Sequence, residues 1–237
     1  MTRDIWAVVP VKDLAQAKRR LGSVLAPPER RRFVLAMLSD VLAALELVDD
    51  LVGVIVVTSD PDATTRARDF GARVLTDGAG DGYSGAVNAA ARVLASEGRG
   101  GMLVAPADIP LATAEEFTRL LRDHPQGRAV SLVPAQDGRG TNAVVLTPPN
   151  AMPLEYEGDS FSRHVERGRG LKFPVETRRL RGIELDIDLP SDLDHLIRNP
   201  EKTEASRILV AMRPRAGGHT VTTGALRSWQ AGAEEDS

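Results

Sequence analysis

The sequence predicts an α/β protein, a single domain built on a mixed, mostly parallel β-sheet flanked by helices. Short apolar runs rich in β-branched residues recur over residues 1–198 and are typical of buried strands. Segments with apolar residues at helical spacing separate these runs, and Pro, Ser, Thr or Asp stands at the start of most of them. No linker-like stretch divides the chain before residue 199. Strands that alternate with helices form βαβ units, in which the strands run parallel.

The composition is that of a soluble globular protein, and it excludes several kinds of chemistry. The 237 residues are 42% hydrophobic and 27% charged. The absence of cysteine excludes disulfides, thiolate metal ligands and cysteine nucleophiles, and the net charge of -3 does not indicate nucleic-acid binding. The N-terminus lacks a signal peptide's apolar region, and no apolar run approaches the ~20 residues that span a bilayer. We therefore expect a cytoplasmic protein that binds neither nucleic acid nor a membrane.

The first half of the chain predicts four strands and the helices that connect them. The strands are placed at residues 5–9, 51–58 and 72–76 and at the apolar run that begins at residue 102. A Pro-Pro pair at Pro27 opens the first helix, and Ser59 or Asp60 caps the second. A glycine-rich segment, residues 77–85, leads to a third helix that starts near Asn88.

The second half predicts further elements and a loosely attached end. Helices are expected at residues 112–122, 160–168 and 190–197, and strands at residues 129–134, 142–146, 171–175 and 183–189. The turn at residues 135–141 predicts a hairpin or a crossover that lies over the site. From residue 199 the apolar periodicity degrades, which predicts a marginal helix within residues 201–212 and a disordered or loosely docked tail at residues 213–237.

One carboxylate and two lysines follow strands of the predicted sheet. Asp108 comes soon after the apolar run at residue 102, and open α/β sheets bind ligands at the carboxyl ends of their strands. Lys12 and Lys18 follow the first strand in a basic loop suited to a polyphosphate, although it lacks the residues of a Walker loop. Since Asp is a common turn residue and basic runs are often solvated, a purely structural role stays open for all three.

Two further carboxylates, Asp186 and Asp188, lie in a segment that alternates apolar and acidic residues. In a strand this spacing places both on one face. Carboxylates so close together repel each other unless they are exposed on an edge strand or bind a divalent cation. Together with Asp108, the pair predicts a Mg²⁺ site that shares its ligands with substrate phosphates, as in nucleotidyl transfer.

Six motifs follow one another along the chain, namely WAVVPVKDLAQAKRRL, VVTSD, APADIPL, DGRGTNAVVL, DSFSRH and DIDLPSDL. They occur in the order seen in the CofC/FbiD guanylyltransferases, so residues 5–198 resemble that family. The resemblance implies a GT-A-like nucleotidyltransferase fold. It also implies transfer of GMP from GTP to a small three-carbon phospho-acid, with release of pyrophosphate, in deazaflavin coenzyme biosynthesis. The acid in such enzymes is 2-phospho-L-lactate, phosphoenolpyruvate or 3-phospho-D-glycerate, and we expect the product to be handed to the next enzyme of that pathway.

The resemblance further implies roles for five charged residues. Asp108, Asp186 and Asp188 match the metal-binding acids of the family, with Mg²⁺ as the cofactor. Lys12 and Lys18 match the basic loop on the triphosphate. Lys12, Lys18 and Asp108 are therefore expected to be catalytic.

Five uncharged residues match binding positions of the family. The loop around Ser84, Gly85 and Asn88 matches the region that faces the nucleotide base. Thr141 and Ser160 match positions that hold the phospho-acid. The resemblance therefore predicts two subsites, one for the nucleotide and one for the acid.

The sequence departs from the family pattern at Glu157, where many relatives have glycine. A carboxylate beside the acid subsite would repel a bound carboxylate, but it would accept a hydrogen bond from a substrate hydroxyl. Only 3-phospho-D-glycerate retains a free hydroxyl among the three acids. A buried acceptor without a partner costs about 1–3 kcal/mol, so we expect Glu157 to contact the acid and to favour 3-phospho-D-glycerate.

Two other functions remain open from the sequence alone. A cytidylyl- or sugar-nucleotidyltransferase would share the fold, although the sugar enzymes usually have a glycine-rich N-terminal loop where this chain has VPVKDLAQAK. A non-catalytic nucleotide-binding module would also share it. Loss of any of the three aspartates would favour that module, and all three are present.

Overall fold

A β-sheet organises the part of the chain that this computed structural model describes, residues 4–198 and 202–212. The strands among these residues are β1 (Ile5–Pro10), β2 (Leu51–Val57), β3 (Arg73–Leu75), β4 (Gly101–Val104), β5 (Ala129–Pro134), β6 (Thr141–Thr147) and β7 (Val175–Thr177). They lie in the order β3-β2-β1-β4-β6-β5-β7. β6 runs antiparallel to both of its neighbours, whereas β1 pairs in parallel with β2 and β4. The mixed, mostly parallel sheet is confirmed.

The strand order explains where a ligand can bind. The order 3-2-1 reverses between β1 and β4, so the crossovers that leave these two strands diverge and open a crevice at their carboxyl ends. Lys12 follows β1, and Asp108 follows β4. Because β6 is antiparallel to β4 and its Val144 pairs with Val104, the first residues of β6 reach the same edge.

Helices cover both faces of the sheet. They are α1 (Pro27–Glu46), α2 (Pro61–Asp69), α3 (Gly82–Ser96), α4 (Ala114–Arg122), α5 (Ser160–Gly170), α6 (Arg181–Glu184), α7 (Leu193–Ile197) and α8 (Glu204–Met212). The predicted N-cap Asp60 is confirmed, since its side chain accepts hydrogen bonds from backbone N–H groups of the first turn of α2. Thr113 caps α4 through a hydrogen bond from the N–H of Glu116. Asp159 caps α5 in the same way. No helix in the described ranges is long and apolar enough to cross a membrane.

Two apolar cores lie on opposite faces of the sheet, as the alternation along the strands requires. Ala7 and Val9 of β1 point into the larger core with the buried stripe of α1, whereas Val8 points into the smaller core with α3. The carboxyl ends of the central strands are thereby held between two packed layers, and the crevice has rigid walls.

Two predicted boundaries and one predicted strand are wrong. α3 begins at Gly82 within the glycine-rich segment, so Asn88 lies well inside the helix. The last strand is Val175–Thr177, displaced from the predicted residues 171–175. The strand predicted from residue 183 does not form, because α6 occupies its start and the residues after it join no ladder. Ile187 is nevertheless tied to the site, since its N–H donates to the carbonyl oxygen of Asp108 at 2.9 Å.

The helix predicted near the C-terminus is part of the core. α8 packs against α1, and Ala205 and Leu209 are buried in the larger core. The carboxylate of Asp40 in α1 accepts from the N–H groups of Glu204 and Ala205, at 2.6 and 2.9 Å, and so caps α8. A helix was predicted within residues 201–212, but the expectation that it would be marginal is wrong, because α8 belongs to the larger core. The tail predicted at residues 213–237 lies outside the described residues.

Candidate active site

A cavity of about 690 Å³ opens at the reversal point of the strand order. Its wall contains residues that follow β1 and β4, residues at the start of β6 and residues beside α5 and α7. They include Lys12, Arg20, Tyr83, Asp108, Asp137, Thr141, Asn142, Tyr156, Ser160, Asp186, Asp188 and Asp192. A second cavity of about 270 Å³ shares Lys12, Asp108 and Asp188 with the first and also contacts Lys18. Six predicted site residues therefore line the larger cavity, since Lys12, Asp108, Thr141, Ser160, Asp186 and Asp188 all belong to its wall.

Lys18 joins two of the predicted acids. Its Nζ lies 2.5 Å from Oδ2 of Asp108 and 3.2 Å from Oδ1 of Asp188, and its side chain is only 9% exposed. Burial alone would lower the pKa of Lys18, but the charges and hydrogen bonds of Asp108 and then Asp188 outweigh burial and raise it. Lys18 therefore stays a cation between two carboxylates.

The backbone at Lys18 is held in an uncommon conformation. Its φ of 51° lies in the left-handed region, which costs a non-glycine residue about 1–2 kcal/mol. Such strain is kept where surrounding contacts hold the residue in place, and here the two carboxylates do so. Lys12 is exposed instead and lines both cavities.

Asp186 reaches the cavity from the segment that was predicted as a strand. Its carboxylate accepts from Nδ2 of Asn142 at 3.1 Å, and the same amide donates to the carbonyl oxygens of Ile183 and Glu184. Asn142, at the start of β6, thus fastens this segment to the sheet edge. Burial and then the negative charge of Asp108 raise the pKa of Asp186.

The wall of the larger cavity carries an excess of negative charge. Among the described residues, five aspartates line it, against the two cations Lys12 and Arg20. Yet no group of three or more acidic or histidine side chains in residues 4–198 and 202–212 is arranged to hold a metal ion by itself. The structure therefore brings Asp108, Asp186 and Asp188 to one wall without forming a ready-made metal cluster, and any cation bound there would need further ligands from a substrate or water.

At the other end of the cavity, Thr141 and Ser160 form a hydrogen-bonded group with His164. Oγ of Ser160 donates to Oγ1 of Thr141 at 3.1 Å, and Nδ1 of His164 lies 3.1 Å from the same oxygen. All three side chains are buried, and Thr141 and Ser160 line the cavity. The structure brings together the two residues predicted to hold the phospho-acid.

The predicted base-facing residues lie beside the cavity and bind protein atoms. Asn88 donates to the carbonyl oxygens of Ser84 and Leu154 and accepts from the N–H of Leu154, so its amide ties α3 to the segment before α5. A side chain at Gly85 would collide with that of Asp81. Ser84, Gly85 and Asn88 line neither cavity, and Asn88 has a structural role.

The predicted preference for 3-phospho-D-glycerate assumed that Glu157 is buried beside the acid, and the structure does not show this environment. Glu157 is exposed, it does not line the cavity, and its carboxylate accepts from Oγ of Ser84 at 2.9 and 3.0 Å. Its own backbone N–H and then the Ser84 hydroxyl lower its pKa. The premise of a buried acceptor that needs a substrate hydroxyl is wrong, because the carboxylate is exposed and already accepts from Ser84.

Four residues of this region had no assigned role in the sequence. His164 belongs to the DSFSRH motif and Asn142 to DGRGTNAVVL, so their positions beside Ser160 and Thr141 could have suggested them. No comparable pattern in the sequence pointed to Tyr83 and Tyr156, whose rings meet edge-to-face with centroids 4.6 Å apart. The buried hydroxyl of Tyr156 has no hydrogen-bond partner among the described residues.

Solved structures confirm the fold class. The crystal structure of a protein from Desulfovibrio desulfuricans G20, described as a nucleotide-diphospho-sugar transferase, superposes with a TM-score of 0.68 at 18% identity. The superposition covers 88% of this chain and 95% of that chain. At this identity the likeness establishes a common nucleotidyltransferase-type fold.

Three relatives are more similar to this chain in sequence than that structure is. The phosphoenolpyruvate guanylyltransferase of Sphaerobacter thermophilus is 37% identical over 80% of this chain and 91% of its own length. The 2-phospho-L-lactate guanylyltransferase of Methanothermobacter thermautotrophicus is 32% identical, over 87% of this chain and 90% of the relative. The 3-phospho-D-glycerate guanylyltransferase of Colwellia psychrerythraea is also 32% identical, over 85% and 96%.

The family match covers most of the chain. Residues 5–220 match the model of the family described as "Guanylyl transferase CofC like". That range contains every strand of the sheet and every residue that lines the larger cavity. The chain is therefore a nucleotidyltransferase that belongs to the CofC-like guanylyltransferase family.

Proposed function

We propose that the protein transfers GMP from GTP to the phosphate of a three-carbon phospho-acid and releases pyrophosphate. One observation carries the proposal beyond family membership: the cations Lys12 and Lys18 and the carboxylates Asp108 and Asp188 meet at the reversal point of the sheet. Ligands of open α/β sheets bind at this point. A cavity of about 690 Å³ lies within the range of typical small-molecule sites.

The reaction needs no proton transfer. An ionised phosphate oxygen of the acid attacks the α-phosphorus of GTP and forms a P–O bond. The bond from the α-phosphorus to the bridging oxygen breaks, and that oxygen leaves with the electron pair as part of pyrophosphate. The protein's task is to align two anions and to stabilise the charge on the leaving group, so positioning and electrostatics provide the catalysis. In this proposal Lys12 and Lys18 contact the triphosphate.

We propose Mg²⁺ as the cofactor at Asp108, Asp186 and Asp188. Five aspartates line the cavity, so two anionic substrates would be repelled unless further cations entered with them. Mg²⁺ usually binds through one or two carboxylates, with substrate phosphates and water as its other ligands. The donor set fits this mode, because it offers hard carboxylate oxygens without a closed cluster. When bound, the ion would neutralise developing charge on the phosphates.

For the acid, we propose phosphoenolpyruvate as the first substrate to be tested. Two relatives with 37% identity are named for it, and the relatives named for the other two acids are 32% identical. The argument that Glu157 favours 3-phospho-D-glycerate no longer holds, because it required a buried carboxylate and that side chain is exposed and bonded to Ser84. Deazaflavin coenzyme biosynthesis and hand-over of the product to the next enzyme belong to the same proposal.

A pyrophosphate-release assay tests the proposal. GTP, ATP, CTP and UTP are each combined with the three acids and with Mg²⁺, and we expect turnover with GTP and highest kcat/KM with phosphoenolpyruvate. Asp188→Asn should abolish most turnover, whereas Lys202→Ala, outside the cavity, should not change it. Turnover with CTP in place of GTP would refute the guanylyl assignment. The absence of pyrophosphate release with every pair would favour a non-catalytic nucleotide-binding protein.

A further inference from the structure

His164 has no role in the proposed chemistry, yet it is buried beside the cavity and all of its polar atoms are engaged. Its Nε2 accepts from the backbone N–H of Glu155 at 3.0 Å. Its Nδ1 lies 3.1 Å from Oγ1 of Thr141. The ring is shielded from water by Tyr156, whose centroid is 5.2 Å away in an edge-to-face contact.

These contacts fix the tautomer of the imidazole. A backbone N–H can only donate, so Nε2 of His164 must act as the acceptor and carries no proton. The single proton of a neutral imidazole then resides on Nδ1, which donates to Thr141. Burial, followed by the charges of Arg167 and Arg163, lowers the pKa of His164 to about 4, so this neutral form persists at physiological pH.

The hydroxyl of Thr141 therefore receives two hydrogen bonds. Nδ1–H of His164 and Oγ–H of Ser160 both donate to its oxygen, which has two lone pairs. With both lone pairs occupied, the oxygen cannot accept from a ligand. Its own proton is left, and Thr141 lines the cavity.

From this geometry we infer that His164 is a positioning residue that makes the Thr141 hydroxyl an obligatory donor to an anionic oxygen of the acid substrate. His164 does not touch the substrate; it acts through Thr141. The site thereby selects a ligand that presents a phosphate or carboxylate oxygen at this point and rejects one that presents a hydroxyl donor. The inference rests on the proposed function only for the identity of the ligand.

The tautomer can be measured without substrate. Long-range ¹H–¹⁵N correlation of the histidine side chains should show one ring protonated at Nδ1 alone between about pH 6 and pH 8, as a pKa of about 4 requires. His164→Gln assigns that ring by its disappearance, among the four histidines of the chain. Protonation at Nε2, or titration near the ordinary pKa of histidine, would overturn the inference whether or not GMP transfer is observed.

Two isosteric substitutions separate positioning from structural support. An asparagine amide reaches the place of Nδ1 and a glutamine amide that of Nε2. His164→Asn should keep a donor to Thr141, with an acid KM near that of the wild type and a lower Tm from the unpaired Glu155 N–H. His164→Gln should raise the acid KM about three- to tenfold at an unchanged KM for GTP. His195→Gln, in α7 and outside the cavity, is the matched control and should change neither KM.

A double-mutant cycle tests whether His164 acts through Thr141. Thr141→Val removes the hydroxyl, so adding His164→Gln to it should cause no further rise in acid KM. Additive effects in a folded double variant, or an unchanged acid KM in His164→Gln, would refute the inference. Failure of the proposed function looks different, because pyrophosphate release is then absent in the wild type while the Nδ1–H signal is still observed.

Discussion

Replacement of Lys18 by methionine tests the charge arrangement of the site. The substitution keeps most of the side-chain volume and removes the ammonium that lies 2.5 Å from Asp108 and 3.2 Å from Asp188. Removing one partner of a buried pair costs about 3–5 kcal/mol. An exposed pair contributes about 0–1 kcal/mol. Lys18 and Asp108 are 9% and 28% exposed and Asp188 is 39% exposed, so the loss should come mainly from Asp108 and lie at about 3 kcal/mol.

Thermal unfolding with and without Mg²⁺ measures this loss. For a domain of this size each kcal/mol shifts Tm by about 2–4 °C, so Lys18→Met should lower Tm by about 6–12 °C. The variant takes the Lys18 ammonium away from both carboxylates, although Asp188 keeps its bond to the exposed Arg20. Saturating Mg²⁺ should therefore raise its Tm more than that of the wild type. At a hundredfold excess over Kd, the bound ion adds about 2.7 kcal/mol to the free energy of unfolding. Turnover should fall about 10²- to 10³-fold, as for other losses of preorganised charge.

Arg20→Met is the matched control for stability. Arg20 also bonds Asp188, at 2.9 Å, but its side chain is 70% exposed. Its removal should cost about 0–1 kcal/mol. Equal losses of Tm in the two variants would show that Lys18 is no more than a surface cation. A Tm response to Mg²⁺ that is the same in Lys18→Met and wild type would contradict metal binding at Asp108 and Asp188.

Three further outcomes are expected. Glu157→Gly should leave the ratio of kcat/KM among the three acids unchanged, since the carboxylate is exposed and bonded to Ser84; a changed ratio would restore the specificity argument. Burial raises the pKa of Asp40 from 3.8 to about 6, so its contribution to stability is fully present below pH 3.8 and is lost as the pH rises through about 6. Asp40→Asn does not titrate, and its Tm relative to wild type should therefore be higher at about pH 7.5 than at about pH 5. Deletion of residues 213–237 should leave Tm and turnover nearly unchanged, whereas ending the chain after Arg198 removes buried Leu209 and should lower Tm by several degrees.

The sequence predicted the central part of the fold because local and tertiary preferences agree there. The runs at β1, β2 and β4 are apolar on both faces, as strands covered by two helical layers must be. Asp60 and Thr113 cap helices through contacts within a few residues of themselves. Such interactions are encoded locally and can be recognised in a single sequence.

Site residues were predictable where the fold alone determines their position. Lys12 and Asp108 follow the two strands between which the strand order reverses, so any arrangement with that topology brings them together. Asn88 and Glu157 were not predictable in this way. Glu157 binds Ser84 of α3, and Asn88 of α3 binds Leu154 in the segment before α5. These contacts exist only after the two parts of the chain have packed together.

Asp186 and Asp188 were expected on one side of a strand. They do line the same cavity, although that strand does not form. The described residues between α6 and α7 join no ladder, so pleated pairing does not align the two carboxylates. Leu185 and Ile187 are buried instead, and burial of alternate side chains in extended backbone turns the residues between them to the opposite side. Asn142 and the carbonyl of Asp108 then fix the segment at the sheet edge. The alternation encodes which side of the segment is buried, and these hydrogen bonds place the opposite side, with both carboxylates, at the cavity.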